Sequence, residues 1–286
     1  MKKKRASKKA RPSFPWVPTC AVLFVLVLCG FLLRADIGQY AWNTFGLART
    51  ASYLGVKDAG THFALGEYFF QSGDTYDVHR AQYHYTEAAR LDPRLLGAHY
   101  QLGRTYFILG YFDKAYAAVV SEELLRPEFG KVHYMKGLIA GYMKNFELAE
   151  LEFKKFIEYD SFNWAGYNDL SWIYFAQGNY HYAEATAREG LIHAAGNPWL
   201  HNAVGVALLA QDRGAEALPH FKEAQKGFQK MNPDQWGIAY PGNSPHEHGR
   251  GLDASQKAIE RNIERAENNA ASVENNIHKL NSDATL

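Results

Sequence analysis

Cysteine is nearly missing from this chain. Its 286 residues hold two, Cys20 and Cys29, and both sit inside one uncharged apolar run. Nothing outside that run can form a disulfide or a thiolate metal site, so an oxidising compartment is permitted without being demanded. Nine residues at about 100° each place the pair on opposite faces of a helix, as small apolar residues rather than a redox couple. Also missing are a glycine-rich phosphate loop behind a strand, a Gly-x-Ser-x-Gly elbow, zinc-ligand spacing and a plausible catalytic triad. No catalysis, cofactor or metal is therefore expected. Positive charge is scarce once the first eleven residues are set aside. Lys2, Lys3, Lys4, Arg5, Lys8, Lys9 and Arg11 leave the remainder with six more acidic than basic residues, which argues against a nucleic-acid partner.

What is present begins with that basic tail, residues 1–15, followed by Trp16 to Leu33, 18 residues without a charge. The run is at the short end of what crosses a bilayer. A basic flank before it and an acidic domain after it place the N-terminus in the cytoplasm and the rest across the membrane. The competing reading is a cleaved secretory signal. Leu33-Arg34-Ala35 makes a poor cleavage site and Leu26-Val27-Leu28-Cys29 lacks the small residue of a lipoprotein signal, so an uncleaved anchor is expected. Residues 34–59, with Tyr40, Trp42, Phe45, Leu47 and Leu54, read as a juxtamembrane linker or a capping helix, set against the membrane surface or the first repeat.

Beyond this point a glycine returns on a fixed ruler. Gly103, Gly137, Ser171 in its place, and Gly205 are each 34 residues apart. Ala115, Ala149, Ala183 and Ala217 stand twelve places after them, and Val119, Phe153, Ala187 and Phe221 sixteen after. An earlier copy starts at Gly66, and its Ala81, Tyr85, Ala88 and Pro93 fit with three residues inserted near Asp74 to Asp77. Turns are marked by Ser72-Gly73-Asp74, Gly110 and Gly178-Asn179, and second helices end at Asp92-Pro93 and Arg126-Pro127. Small residues at the anchor and at the alanine let two antiparallel helices approach closely, one pair per repeat.

Over residues 60–230 the chain resembles the tetratricopeptide-repeat family, with its small anchor, later alanine and closing proline. The resemblance implies an all-α solenoid of five helix-turn-helix repeats, here between an N-terminal transmembrane helix and a C-terminal helix. The fit has departures: Ser171 replaces the anchor glycine, Glu122 stands where a small residue is usual, and Ser161, Ala195 and Gln229 replace the closing proline. Pro219 is expected near the first turn of the last second helix, where its missing N–H costs little.

His62, His99, His133 and His201 stand four places before an anchor, with Tyr167 at that place in the remaining copy. In the resembled family that place packs between helices, so one such ring per repeat is expected to be structural, too far from the next to share a metal. His246-Glu247-His248 reads as a helix start, since Ser244-Pro245-His246-Glu247 has the form of a capping box with proline at the first helical position.

Stacked pairs of this kind present the first helix of each pair on a concave wall. In the resembled family the groove-facing places are three before, one after and four after the anchor. Here they hold Phe63, Glu67 and Phe70; Tyr100, Arg104 and Phe107; Tyr134, Leu138 and Gly141; Asn168, Trp172 and Phe175; and Asn202, Val206 and Leu209, with Trp199 at the edge. The Lys and Asn pattern of the subclass that clamps a terminal carboxylate is missing. An aromatic strip with a few amides suits an extended or helical polypeptide segment. The bland counterpart is that several of these aromatics are core, or are covered by the C-terminal segment.

Residues 231–244, with Trp236, Tyr240 and Pro241-Gly242-Asn243, read as a loop pinned to the solenoid. Residues 245–282 carry an apolar stripe of Ile259, Ile263, Ala266, Ala270, Val273, Ile277 and Leu280 on a helix, fit for a cap over the last repeat or a weak coiled coil. The whole reads as a single-span protein, set in a bacterial inner membrane with periplasmic repeats, that binds another protein as a scaffold or assembly adaptor. The alternative is a structural oligomeriser that self-associates through its C-terminal helix.

Overall fold

The computed structural model describes residues 16–71, 73–239 and 247–283, with side chains from residue 22 to residue 274 apart from Ile238, and the described residues contain helices and no strand. The basic tail, Ser72, Tyr240, Pro241-Gly242-Asn243 and the Ser244–His246 part of the capping box lie outside them, as do the side chains of Ile277 and Leu280. Two compact units are present, one up to Thr61 and one from His62 onward.

In the first unit, α1 (Trp16–Phe45) does not stop at Leu33. It runs through the expected boundary and turns at Gly46, whose φ of 63° is left-handed, into α2 (Ala48–Leu54). The two helices cross at Gly38, where an added Cβ would strike the Gly55 carbonyl and the Leu54 side chain, and Ala41, Ala48 and Ala51 are buried there. The segment read as a juxtamembrane linker or a capping helix forms a helical hairpin with the end of α1, because small residues let its arms touch. Gln39 donates to Thr61 Oγ1 at 2.6 Å, and Asp58 accepts from the Thr61 N–H at 2.7 Å, capping the start of α3 (Ala59–Phe70). Val22–Phe45 is long and apolar enough to cross a membrane, with a mean hydropathy of 1.9.

The second unit pairs α3 with α4 (Val78–Leu91), α5 (Ala98–Ile108) with α6 (Phe112–Leu125), α7 (Lys131–Tyr142) with α8 (Phe146–Tyr159), α9 (Trp164–Ala176) with α10 (Tyr180–His193), and α11 (Pro198–Leu209) with α12 (Gly214–Gln229). The three extra residues of the first copy fall in the connection between α3 and α4. Each anchor explains itself by what faces it. A Cβ on Gly66 would meet the Tyr85 ring at 2.6 Å, on Gly103 the Val119 side chain at 2.5 Å, on Gly137 the Phe153 ring at 2.8 Å and on Gly205 the Phe221 ring at 2.6 Å. The opposing residue is the one sixteen places on, shifted by three in the first copy. In the fourth copy the pair is inverted: Ser171 faces a small partner, Ala187, and its hydroxyl donates to the Ala183 carbonyl at 2.8 Å. Full burial of a ring such as Phe153 supplies about 2–3 kcal/mol, and a bare backbone opposite it gives the ring its room.

A second track runs seven places behind the anchor. Gly73, Gly110, Lys144, Gly178 and Asp212 all have positive φ. Tyr111 N–H reaches the Tyr106 carbonyl at 2.9 Å and Gly110 N–H the Phe107 carbonyl at 3.0 Å, and the same two bonds recur behind Lys144, Gly178 and Asp212. This left-handed stop closes each first helix. Glycine enters it freely, whereas Lys144 and Asp212 carry the strain of a side chain there, about 1 kcal/mol each.

Glu122 is fully buried and has a task. It accepts the Gly97 N–H at 2.8 Å and the Tyr100 N–H at 3.3 Å, so a carboxylate from α6 caps the open N-terminus of α5. Pro219 lies later than expected, in the second turn of α12, because that helix already starts at Gly214, whose N–H is capped by Asn269 Oδ1 at 2.8 Å.

The expected 231–244 loop holds a short helix, α13 (Pro233–Ala239). Its cause is legible in the sequence: Asn232 Oδ1 accepts the Gln235 N–H at 2.9 Å while Gln235 Oε1 accepts the Asn232 N–H at 3.0 Å, a reciprocal box with proline at the first position. Trp236 is buried and its indole N–H donates to Ser255 of α14 (His248–Asp283) at 3.1 Å. Leu252, Ile259 and Ala266 of α14 are buried with Leu200, Phe221 and Phe228 in one core cluster, with Ile263 packed against it, so the first part of the stripe is taken up by the last repeat while Val273 stays 42% exposed.

Candidate functional site

The residues expected on the wall do not form one exposed strip. Phe63 and Phe70 pack beside Phe69 and Tyr85, Tyr100 and Phe107 beside Val119 and Met135, and Tyr134, Leu138 and Phe175 beside Phe153 and Ile173. Val206 and Leu209 lie against the last core cluster, and Trp199 is a buried member of it, stacked on Trp164 at 5.0 Å. Asn202 accepts from Asn262 of α14 at 3.4 Å, so the chain's own terminal helix reaches the wall at its last repeat. Each of these side chains is at least partly covered because neighbouring first helices stack closely.

Between the second and fourth repeats the wall is different. Phe107 meets Phe112 at 5.8 Å and Tyr142 at 5.1 Å, and Tyr142 meets Trp172 at 5.9 Å, giving a continuous aromatic ladder across three repeats. Its outer members stay open: Tyr142 is 57% exposed and Trp172 40%. Gly141 is the seat of the tryptophan, since a Cβ there would touch the indole at 2.7 Å. Tyr142 and Phe112 escape a reading of three fixed places per repeat. Tyr142 is five after its anchor, where the other copies hold Gln71, Ile108, Ala176 and Ala210, so no repetition flags it.

Polar groups flank the ladder on both sides. Toward the first repeat, the Arg104 guanidinium lies 4.8 Å from the Phe70 ring and donates to Gln101, which in turn donates to Glu67 at 2.6 Å; Tyr85 donates to the same Glu67 oxygen at 2.5 Å. Toward the fourth, the Tyr134 hydroxyl donates to Asp169 Oδ2 at 2.8 Å and the Asn168 amide to Asp169 Oδ1 at 2.9 Å. Burial pushes the Asp169 carboxyl up to about 6, against the pull of those two donors. Asp169 lies two places before the anchor and belongs to no repeated pattern.

The histidines four places before the anchor are tied into the repeats. His62 Nδ1 lies 3.0 Å from His84 Nδ1, His201 Nδ1 lies 3.1 Å from His220 Nδ1, and His133 Nδ1 lies 2.6 Å from Glu152. His99 and His201 also reach the carbonyls of Pro93 and Ala195, at 3.1 and 2.8 Å, as Tyr167 reaches Ser161 at 3.1 Å. At His99, Tyr167 and His201 the ring therefore closes the turn between repeats, a hydrogen-bonding role beyond packing. Among the described residues no three His, Cys, Asp or Glu side chains gather as a metal group. His248 is buried against Gly237 and Trp236.

No family model matches the sequence, and no curated protein does. Solved structures do resemble it. A MamA protein is 18% identical, with 60% of this chain and 92% of that one covered and a TM-score of 0.52. MamA from Desulfovibrio magneticus RS-1, from residue 41 to its end, is 17% identical over 61% of this chain and 97% of that one, at 0.54. TTC0263, a thermophilic TPR protein of Thermus thermophilus, is 17% identical over 64% and 97%, at 0.50. With the 34-residue ruler and its paired helices, these likenesses identify the fold as that of the tetratricopeptide-repeat solenoid.

Proposed function

We propose that this chain is a membrane-anchored interaction scaffold whose aromatic ladder receives a segment of another protein. The observation that carries the reading is the ladder itself. Tyr142 and Trp172 leave two large rings in mutual contact and open to solvent, whereas the other aromatics expected on the wall, such as Phe63, Phe70, Tyr100 and Tyr134, are at least partly covered. A ring pair of this kind is the usual anchor of an interface, each member supplying about 2 kcal/mol on docking. The uncharged run of α1 supplies the anchor, with the basic tail cytoplasmic and the acidic repeats on the far side of a bacterial inner membrane. Holding the wall at a membrane raises its concentration beside other membrane proteins, so modest affinity suffices. Self-association through α14 is the weaker reading, because Ile259 and Ala266 are already covered by the last repeat.

The test is photocrosslinking in native membranes from a probe at Met143, beside the ladder, in the parent chain and in a Tyr142→Ala/Trp172→Ala variant. A discrete adduct in the parent that vanishes in the variant, with helicity intact, is the expected result. An adduct unchanged by the double substitution overturns the ladder as the docking site.

A further inference from the structure

Among the described residues, most carboxylates that the repeats bury are compensated by positive charge or by a helix N-terminus. Glu152 faces Lys136 at 3.0 Å, Glu184 faces Arg188 and Arg213 at 2.8 and 2.7 Å, Glu150 faces Lys154 at 2.6 Å, and Glu122 caps α5 with Arg126 3.5 Å away. Even Glu67 on the wall is linked to Arg104 by two hydrogen bonds through Gln101. Asp169 has only neutral donors, a phenol and an amide, and no cation contributes to its surroundings. Those two bonds occupy one acceptor site on each oxygen, and a carboxylate has about four such sites. The residue is only partly covered, and Trp172 follows it one helical turn later on α9.

An uncompensated carboxylate beside electron-rich rings is the environment that attracts a cation: the charge pairs with the oxygens while the aromatic faces favour its hydrophobic stem or guanidinium plane. We propose that Asp169 is a cation subsite of the wall, taking an Arg or Lys side chain of the docked segment whose neighbouring bulky apolar residue sits on the Tyr142–Trp172 ladder. This rests on the ladder being a docking site. Charge complementarity favours a basic partner more broadly, since the chain beyond its N-terminal tail carries an excess of six acidic residues. The burial that lifts the carboxyl to about 6 is itself a reason to bind: pairing with a cation offsets desolvation that the fold has already incurred.

The experiment is selection of a phage-displayed random dodecapeptide library on the full chain held in lipid nanodiscs, followed by affinity measurement on synthetic winners. Winners are expected to carry Arg or Lys within about three positions of Trp, Phe or Leu. Replacing that basic residue by Gln should weaken binding about tenfold or more to the parent chain. The near-isosteric Asp169→Asn chain should bind both peptides equally well. Winners that are apolar but lack a basic residue, or an Arg-to-Gln ratio unchanged in Asp169→Asn, overturn the subsite and leave the ladder standing. A library from which nothing is enriched on the parent chain overturns both.

Discussion

The third and fourth repeats are built on one ruler and depart from it in opposite places. The third keeps glycine at the anchor, where Gly137 clears Phe153, and forces a side chain into the left-handed turn at Lys144. The fourth puts a side chain at the anchor, where Ser171 faces Ala187, and keeps glycine in the turn at Gly178. Their buried polar chemistry differs as well. In the third repeat Lys136 lies in an ionic cluster between Glu152 and the preceding repeat's Glu123 with His133 alongside, whereas the fourth closes its turn with the Tyr167 phenol and leaves Asp169 without a counter-charge. A repeat thus constrains the sum of two facing positions rather than either residue alone.

The largest expected break is at the ionic cluster. The Lys136 side chain is 8% exposed, and Lys136→Ala leaves the buried Glu152 with only the more exposed Lys155, 3.4 Å away, and His133, a loss of about 3 kcal/mol in denaturant unfolding of the full chain. Next is the anchor of the third repeat. Gly137→Ser presses against Phe153 and costs about 2–3 kcal/mol, and adding Phe153→Ala should give less than the sum of the two losses, with a coupling of about 1–3 kcal/mol. The reverse change, Ser171→Gly, removes one hydrogen bond and should cost about 1 kcal/mol. Equal costs for the two anchor changes would break the comparison.

The two repeats should also respond to pH with opposite sign. Burial pushes the Glu152 carboxyl up, but hydrogen bonds from His133 and Lys136 outweigh it and hold the group below its usual 4.5. Its contribution is present above the unfolded value and lost as pH falls through the folded one, so protection of α7 amides should drop below about pH 4. Asp169 is raised from 3.8 to about 6 and faces only Tyr134 from α7 and Asn168 on its own helix. Its folded form holds the proton more tightly, so stability is full below the unfolded value and lost as pH rises through 6. Asp169→Asn should therefore stabilise the chain at pH 8 by about 2 kcal/mol, allowing for partial solvent access, and by nothing at about pH 3, below the unfolded value. No pH dependence in that difference would return Asp169 to an ordinary surface carboxylate. The smallest effect sharpens the turn: Lys144→Gly should gain about 1 kcal/mol by relieving a positive φ of 61°, read as a shift in the unfolding midpoint.

Much of this was legible beforehand because spacing carries it. Gly103, Gly137 and Gly205 announce close helix approach, and Ala187 in the sixteenth place already accommodates Ser171. The Asn232-Pro233-Asp234-Gln235 box was equally readable and was masked by the turn residues around it. Lys144 and Asp212 hid the left-handed track because nothing in a lysine or an aspartate declares its φ. The wall was less legible still. Its rings alternate between core and solvent according to how far each first helix is covered by the next, and α14 folds back onto Asn202 from sixty residues away.

The sequence by itself determined the period, the helix pairs and the apolar N-terminal run, since these depend on the size and polarity of residues at fixed spacing. Only the tertiary structure decided that α1 continues to Phe45, that Glu122 caps another helix, that Tyr142 meets Trp172, and that Asp169 has the Tyr134 hydroxyl as a partner. The reason is physical: a repeat rule acts between places 16 or 34 apart, three more in the first copy, whereas exposure and charge compensation are set by whichever side chains of neighbouring copies happen to meet.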